Sequence, residues 1–181
     1  MPSPHQGSNR PSRDISPIVT VNGWSLYAHP VFIDQFQTLL VAVEELQKND
    51  PNGYRDKKKT KLLAAIFKMA FEVIPHDPAN RAFWLGNTLG TEYRHWHRGK
   101  FFEGRYRLFF RYSLAAKIIV LAWVNDEDTL RTYGSKSDAY AVFKKMLDKN
   151  RPPDGWETLL NEAKGAVPRA KEILERGKKA K

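Results

Sequence analysis

The stretch 96–112 carries residue types suited to chemistry on a phosphate group. Two segments of strand character flank a Phe-Glu-Gly turn, and five cationic side chains lie on them: Arg98, Lys100, Arg105, Arg107 and Arg111. Arginine is costly in a strand that only packs, because its charge must stay hydrated or paired. Side chains alternate along a strand, so each segment can place its cations on one face. We therefore predict a hairpin with one apolar face for a core and one basic face for an anion.

The net charge of the chain also indicates an anionic partner. The chain has thirty Lys and Arg against twenty Asp and Glu, a net charge of +10 and a pI of about 9.8. Such a balance indicates a polyanion, either nucleic acid or an acidic protein. The alternative interpretation is a protein that excess positive charge merely keeps in solution.

Composition narrows the class of protein further. The longest apolar run, 118–124, is too short to cross a bilayer, so we predict no membrane association. The chain has no cysteine, which excludes disulfides and thiolate metal sites and suits a reducing cytoplasm, where we expect the protein to act. The apolar fraction of 41% supports a folded core.

The elements that must position the cations follow from hydrophobic periodicity. Apolar residues at helical spacing predict a helix over 30–48 and a second one that stops at Pro75. Strand patterns follow at 93–101, 105–113 and 117–124, and a third helix follows at about Tyr140. We predict an α+β fold, with a helical hairpin on one face of a three- to four-stranded antiparallel sheet, the other face open, and a C-terminal helix.

Three parts of the chain differ in composition. Residues 1–17 are rich in Pro, Ser, Gly and Asn and predict a disordered leader. Residues 18–150 hold the periodic segments and predict one folded domain. Residues 151–181 begin with a Pro-Pro pair and predict a C-terminal helical extension with a basic tail.

The sequence gives little support for catalysis by a metal ion or by a nucleophilic side chain. His95 and His97 are two apart, with Glu92 and Glu103 nearby, but a cationic neighbourhood repels a divalent ion. Neither cysteine nor a Gly-x-Ser-x-Gly elbow is present, and no phosphate-binding glycine motif indicates a nucleotide. We predict no metal and no cofactor. One histidine could act in proton transfer, although a structural role is the more common one.

RNA supplies its own nucleophile, since a 2′-hydroxyl can attack the adjacent phosphate without metal. The protein must then provide positive charge at the phosphate and groups that move protons. The cations provide the positive charge, and aromatic residues such as Trp96 or Tyr133 could hold a splayed base by stacking. The residues alone allow a metal-free ribonuclease and allow RNA binding without cleavage.

Several motifs, in order along the chain, closely resemble the YhaV family of bacterial toxins. They are GRYRLFFRY at 104–112, the apolar run 118–124, NDEDTLRTYG at 125–134 and DAYAVF at 138–143, with NGWSLYAHP at 22–30 and PPDGWET at 152–158 as the ends. The resemblance implies a RelE-like α+β fold and a metal-independent endoribonuclease that inhibits translation and growth. It also implies an antitoxin with an AbrB-type DNA-binding domain as partner, and mRNA, on or off the ribosome, as substrate.

The resemblance ranks the cations. It places the central arginine of RelE-like ribonucleases on Arg107 and their two strand lysines on Arg98 and Lys100, the first of which departs from lysine. A later arginine and a tyrosine fall on Arg131 and Tyr140. The intervening segment is longer here, so Tyr133 competes for the tyrosine role. Substrate-binding roles remain for the rest of the hairpin: Arg105, Arg111, Trp96 and His97.

Competing interpretations stand beside these. Arg107 could be structural and pair with Asp126 or Glu127, and Tyr140 lies on an apolar helix face and could be a core residue. At the level of function, related toxins on the same scaffold poison DNA gyrase without catalysis. A basic nucleic-acid-binding regulator without activity is the other alternative.

Overall fold

The computed structural model describes residues 16–181, so most of the leader predicted at 1–17 lies outside the described residues. Five strands are formed: β1 (Val19–Val21), β2 (Trp24–Ala28), β3 (His97–Phe101), β4 (Tyr106–Ser113) and β5 (Ile118–Val124). The helices are α1 (Pro30–Asn49), α2 (Lys58–Lys68), α3 (Ile74–His76), α4 (Ala139–Asp148), α5 (Trp156–Gly165) and α6 (Val167–Ala180). A π-helical turn (Met69–Val73) connects α2 to the single turn α3. The α+β class is confirmed.

The sheet differs from the prediction in strand number and direction. Its order is β1-β2-β5-β4-β3, and β2 pairs with β5 in parallel while the other pairs are antiparallel. The prediction of a purely antiparallel sheet was therefore wrong. A tight turn at Asn22 and Gly23, both at positive φ, adds β1 and β2 as a hairpin. From β2 the chain crosses over through α1, and β5 can therefore lie beside β2 in the same direction.

Helices cover both faces of the sheet. On one face α1, α2 and α6 pack over Leu26, Leu108 and Phe110. On the other, α4 and α5 pack over Phe109 and Val120. The second face was predicted to be open, which is wrong for most of its area. The continuous apolar run of β5 requires cover on both sides, and α4 and α5 provide it.

A buried histidine connects the start of α1 to α5. His29 is the N-cap of α1, and its Nδ1 accepts a hydrogen bond from the backbone N–H of Val31 at 3.2 Å. The ring proton must therefore lie on Nε2, which donates to Glu162 at 2.5 Å. Burial lowers the pKa of His29, and the Glu162 carboxylate only partly opposes this. A neutral histidine is thus the stable form at this junction.

The last helix belongs to the core, and its packing can be tested at one glycine. A Cβ built on Gly177 would lie 2.6 Å from a ring carbon of Phe67 and 3.2 Å from one of Phe36. We expect Gly177→Ala to lower the free energy of unfolding by about 1–3 kcal/mol through overpacking. The control is Gly165→Ala, at the end of α5, where a Cβ meets no atom within 4 Å. It should change stability by less than about 1 kcal/mol. Urea unfolding of both variants measures the difference; equal midpoints would contradict this packing.

None of the described helices combines the length with the apolar character that crossing a bilayer requires.

Candidate active site

The β3–β4 hairpin brings the predicted cations onto one face. Phe102, Glu103 and Gly104 all have positive φ and form its turn. In the register Lys100 lies opposite Arg107, and Arg98 lies opposite Phe109. Because side chains alternate along each strand, Arg98, Lys100 and Arg107 share the face that α4 partly covers. This part of the sequence prediction holds in the structure.

A tyrosine hydroxyl from α4 joins the two arginines. The Nε atoms of Arg98 and Arg107 each donate a hydrogen bond to the hydroxyl of Tyr140 at 2.9 Å. Backbone carbonyls hold the terminal nitrogens of the two guanidinium groups: Arg98 donates to Ala82 O at 3.0 Å, and Arg107 donates to Gly104 O. Arg98 is 9% exposed, Arg107 5% and Tyr140 6%. The three side chains therefore form a rigid, nearly buried group.

No carboxylate balances this charge. Within residues 16–181, no ion pair involves Arg98 or Arg107. The competing interpretation paired Arg107 with Asp126 or Glu127. In the structure Asp126 instead caps the turn at 127–129, and Glu127 pairs with Lys58. Buried charges without a counter-ion are unfavourable unless a ligand supplies one. The group is thus suited to an anion.

Arg131 approaches from the loop before α4 and is held by an acid. Its Nη1 lies 2.5 Å from Oδ1 of Asp138, the N-cap residue of α4. Burial opposes the charge of Arg131, but the hydrogen bond to Asp138, the charge of Asp138 and the neighbouring Tyr133 together outweigh it, so the pKa of Arg131 lies above the ordinary value. For Asp138, burial is likewise outweighed by hydrogen bonds from Arg131 and from backbone N–H groups, which leave its pKa lowered. Asp138 neutralises Arg131, and the unbalanced charge remains on Arg98 and Arg107.

The structure separates the two candidate tyrosines. Tyr140 places its hydroxyl between the arginines, whereas Tyr133 is 85% exposed and stacks its ring on the Arg131 guanidinium at 3.6 Å. A tyrosine oxygen has two lone pairs and one proton. Since both lone pairs of Tyr140 accept from arginines, its own proton is left to donate.

Lys100 and Arg105 lie at the accessible side of this group. Both are exposed. The carbonyl of Arg105 accepts hydrogen bonds from the backbone N–H of Arg131 at 3.3 Å and from Nδ2 of Asn125 at 3.1 Å. The hairpin turn and the loop before α4 therefore meet at Arg105.

Two residues with predicted substrate contacts are structural instead. Trp96 is fully buried against Phe143 and donates its indole N–H to Asp154 at 2.8 Å, so it offers no surface to a base. Arg111 lies between the rings of Trp96 and Trp156, 5.6 and 5.4 Å from their centroids, and donates to Asp154 O. Burial lowers the pKa of Arg111. Both residues fasten the 151–156 segment to the sheet.

His97 lies on the wrong face for its predicted role. Its ring packs against Phe110 and Tyr112, on the face opposite Arg98 and Arg107. Burial lowers its pKa to about 4, so it is neutral at physiological pH. It contributes no charge to the arginine–tyrosine group.

Sequence reasoning missed two residues that build the site. Asn125 is buried, accepts the backbone N–H of Arg107 at 2.6 Å and donates to Thr129 O at 2.9 Å. Asp138 caps α4 and is the partner of Arg131. The position of Asn125 in the sequence could have indicated its role. A polar residue directly after an apolar strand is buried at the end of the sheet and must find hydrogen-bond partners there.

An open depression continues from the site along α4. Arg131, Tyr133 and Tyr140 line it together with Thr88 and three lysines: Lys136, Lys144 and Lys145. Its one carboxylate, Asp138, is already bound to Arg131. Among the described residues, no group of three or more His, Asp or Glu side chains is placed to hold a metal ion.

Two buried arginines that hold a tyrosine hydroxyl beside a lysine-lined depression make this α+β protein one of the class suited to bind anionic groups such as phosphate. Comparison with known families agrees: the model for a toxin with endonuclease activity, of a toxin-antitoxin system, matches residues 26–164. The chain belongs to this YhaV toxin family, and as a toxin of such a system it has an antitoxin as partner.

Individual relatives are similar over most of the chain. The ribonuclease toxin YhaV of Escherichia coli strain K12 is 52% identical over 143 residues, which cover 78% of this chain and 93% of the relative. The toxin YhaV of Escherichia coli O157:H7 has the same identity and coverage. No solved structure matches the chain.

Proposed function

We propose that this toxin is an endoribonuclease that cleaves RNA by attack of a 2′-hydroxyl on the adjacent phosphate, without a metal ion. The observation that carries the proposal is the pair of buried arginines that no carboxylate balances, joined by one tyrosine hydroxyl. A scissile phosphate supplies the missing negative charge. The name of one relative, ribonuclease toxin YhaV, supports RNA as the substrate.

Each residue of the site has a separate role in this reaction. Arg98 and Arg107 bind the non-bridging oxygens, and their charge stabilises the additional negative charge of the pentavalent transition state. Lys100 adds charge at the rim, where Arg131, paired with Asp138, donates hydrogen bonds. The 2′-oxygen bonds to phosphorus, its proton passes to solvent, and the bond to the 5′-oxygen breaks. Tyr140 donates its proton to that leaving oxygen, which yields a 2′,3′-cyclic phosphate and a 5′-hydroxyl.

The depression beside α4 provides a path for the RNA strand. Lys136, Lys144 and Lys145 offer charge for backbone phosphates, and no free carboxylate lies among the described residues that line it. Tyr133, exposed on the Arg131 guanidinium, offers a stacking surface for a base next to the cleaved bond.

The fold supports a place among RelE-like ribonucleases, because α1 and α2 pack side by side on one face of the sheet while the arginine–tyrosine group lies on the other. In this proposal the toxin acts in the cytoplasm and inhibits translation and growth by cutting mRNA. An antitoxin with an AbrB-type domain neutralises it.

The ends of the RNA products test the chemistry. We expect the purified protein to cleave RNA equally well with and without EDTA, since arginine replaces the metal as source of positive charge. The 5′ products should carry a 2′,3′-cyclic phosphate, and the 3′ products should be ligated only after treatment with a kinase, because they begin with a 5′-hydroxyl. Loss of cleavage in EDTA, or 5′-phosphate ends, would falsify the mechanism. Inhibition of gyrase supercoiling without RNA cleavage would replace it by the gyrase-poison alternative.

A further inference from the structure

A second depression lies on the opposite side of the hairpin turn, between that turn and the start of α2. Its cationic lining residues are Lys58, which also pairs with Glu127 at 3.4 Å, Lys61 and Arg105, and its acidic ones are Asp56 and Glu103. Tyr106 forms part of its wall. The mechanism proposed above uses none of these residues as a catalyst.

The start of α2 is an uncapped helix terminus. No side chain of its N-cap residue, Lys57, accepts a hydrogen bond from the first turn, and that turn contains no acidic residue. The first N–H groups of a helix lack intrahelical partners and carry partial positive charge. An anion is the ligand that such a terminus favours.

A second, independent observation concerns Tyr106, which lines the same depression. Tyr106 is 2% exposed, yet its hydroxyl has no hydrogen-bond partner within residues 16–181. Leaving a buried hydroxyl unpaired is unfavourable, and few such groups occur in folded proteins. Burial raises the pKa of Tyr106, which keeps the hydroxyl protonated and able to donate.

The depression adjoins the candidate active site. Arg105 is two residues before Arg107 on the chain, a step of about 7 Å along an extended strand. Its backbone carbonyl accepts the N–H of Arg131. An RNA strand bound at the arginine–tyrosine group can therefore reach both the α4 depression and this one, in opposite directions.

We propose that the start of α2, with Lys58, Lys61, Arg105 and the Tyr106 hydroxyl, binds a backbone phosphate of the substrate RNA, on the side of the cleaved bond away from α4. This inference rests on the proposed function for the identity of the ligand. An RNA phosphate is favoured over a carboxylate of the antitoxin because Arg105, which lines the depression, is two residues from Arg107 in the proposed cleavage site.

The test measures binding alone. Uncleavable 2′-O-methyl RNA is titrated by fluorescence anisotropy against Tyr106→Phe, Lys61→Ala and the control Lys68→Ala, which removes an equal charge from the exposed far end of α2. We expect Tyr106→Phe to weaken binding roughly fivefold or more, with equal or higher thermal stability, since the lost hydroxyl is buried and has no partner within residues 16–181. Lys61→Ala should lower the slope of log Kd against log salt by about 0.7, as one phosphate contact on a single strand is lost.

RNAs shortened one nucleotide at a time from each end locate the phosphate. Wild-type protein should lose affinity sharply at one truncation, and the double variant Tyr106→Phe, Lys61→Ala should not respond to that same truncation. If both single variants bind RNA as Lys68→Ala does, or weaken only antitoxin binding, this phosphate site is wrong even if cleavage is observed. If the protein fails to cleave RNA but the truncation result holds, the site stands and the catalytic proposal fails.

Discussion

Replacement of Tyr140 by phenylalanine is expected to slow RNA cleavage by about 10²- to 10⁴-fold, the usual contribution of a general acid. The variant loses the proton that the leaving 5′-oxygen receives. It also loses the oxygen that accepts 2.9 Å hydrogen bonds from Arg98 and Arg107. Single-turnover cleavage at saturating RNA measures the effect, so that weaker binding does not enter the rate.

A modified substrate separates proton donation from positioning. If the leaving 5′-oxygen is replaced by sulfur, departure no longer requires a proton, and the gap between Tyr140→Phe and wild type should shrink by at least tenfold. An unchanged gap would assign Tyr140 a positioning role only. The matched control is Tyr93→Phe, which removes a hydroxyl hydrogen-bonded to Asp148 at 3.0 Å, away from the arginines. It should cleave at the wild-type rate.

The second large effect is expected at Arg107. Arg107→Ala removes one of the two buried cations that face the phosphate, and we expect a loss of about 10²- to 10³-fold in the maximal rate, as for other donors to a developing oxyanion. Expression of the variant should no longer arrest growth. Arg107→Lys should recover only part of the rate, because a lysine cannot contact both the Tyr140 hydroxyl and Gly104 O as the guanidinium does.

Arg105 provides the comparison for this prediction. It has the same charge two residues earlier, but it is exposed and lies at the hairpin turn. Arg105→Ala should therefore raise the RNA concentration needed for half-maximal rate and leave the maximal rate nearly unchanged. Equal losses of maximal rate in both variants would contradict the assignment of Arg107 to the reacting phosphate. Thermal unfolding of each sample confirms that the fold is retained.

Local pattern predicted much of the framework. The alternation in 96–112 correctly placed Arg98, Lys100 and Arg107 on one face, since strand periodicity is a property of adjacent residues. The helix predicted at 30–48 is α1, within one residue. The apolar run at 118–124 correctly indicated a strand, which is β5.

Contacts distant in sequence were harder to predict. Arg98 meets a tyrosine 42 positions later, and only the packing of α4 onto the sheet decides that Tyr140 rather than Tyr133 takes this place. The parallel pairing of β2 with β5 likewise depends on a crossover through α1. Trp96 was wrongly predicted to contact substrate, because the sequence pattern of an aromatic residue next to cations is the same whether the ring lies on a nucleic-acid-binding surface or in the core. Asp154, which binds its indole, lies 58 residues away.

The unbalanced arginines also link binding to folding. Arg98 and Arg107 lie side by side on the Tyr140 hydroxyl, and a polyanion bound at them would offset the repulsion between their two like charges. A ligand that binds only the folded chain stabilises it by about 2.7 kcal/mol at a hundred times its dissociation constant. In this proposal RNA is both the substrate and a stabilising ligand, and the folded toxin is least stable when no RNA is bound. Cleavage fragments that remain bound would extend the lifetime of the folded toxin, and an antitoxin that displaces them acts on stability as well as on access.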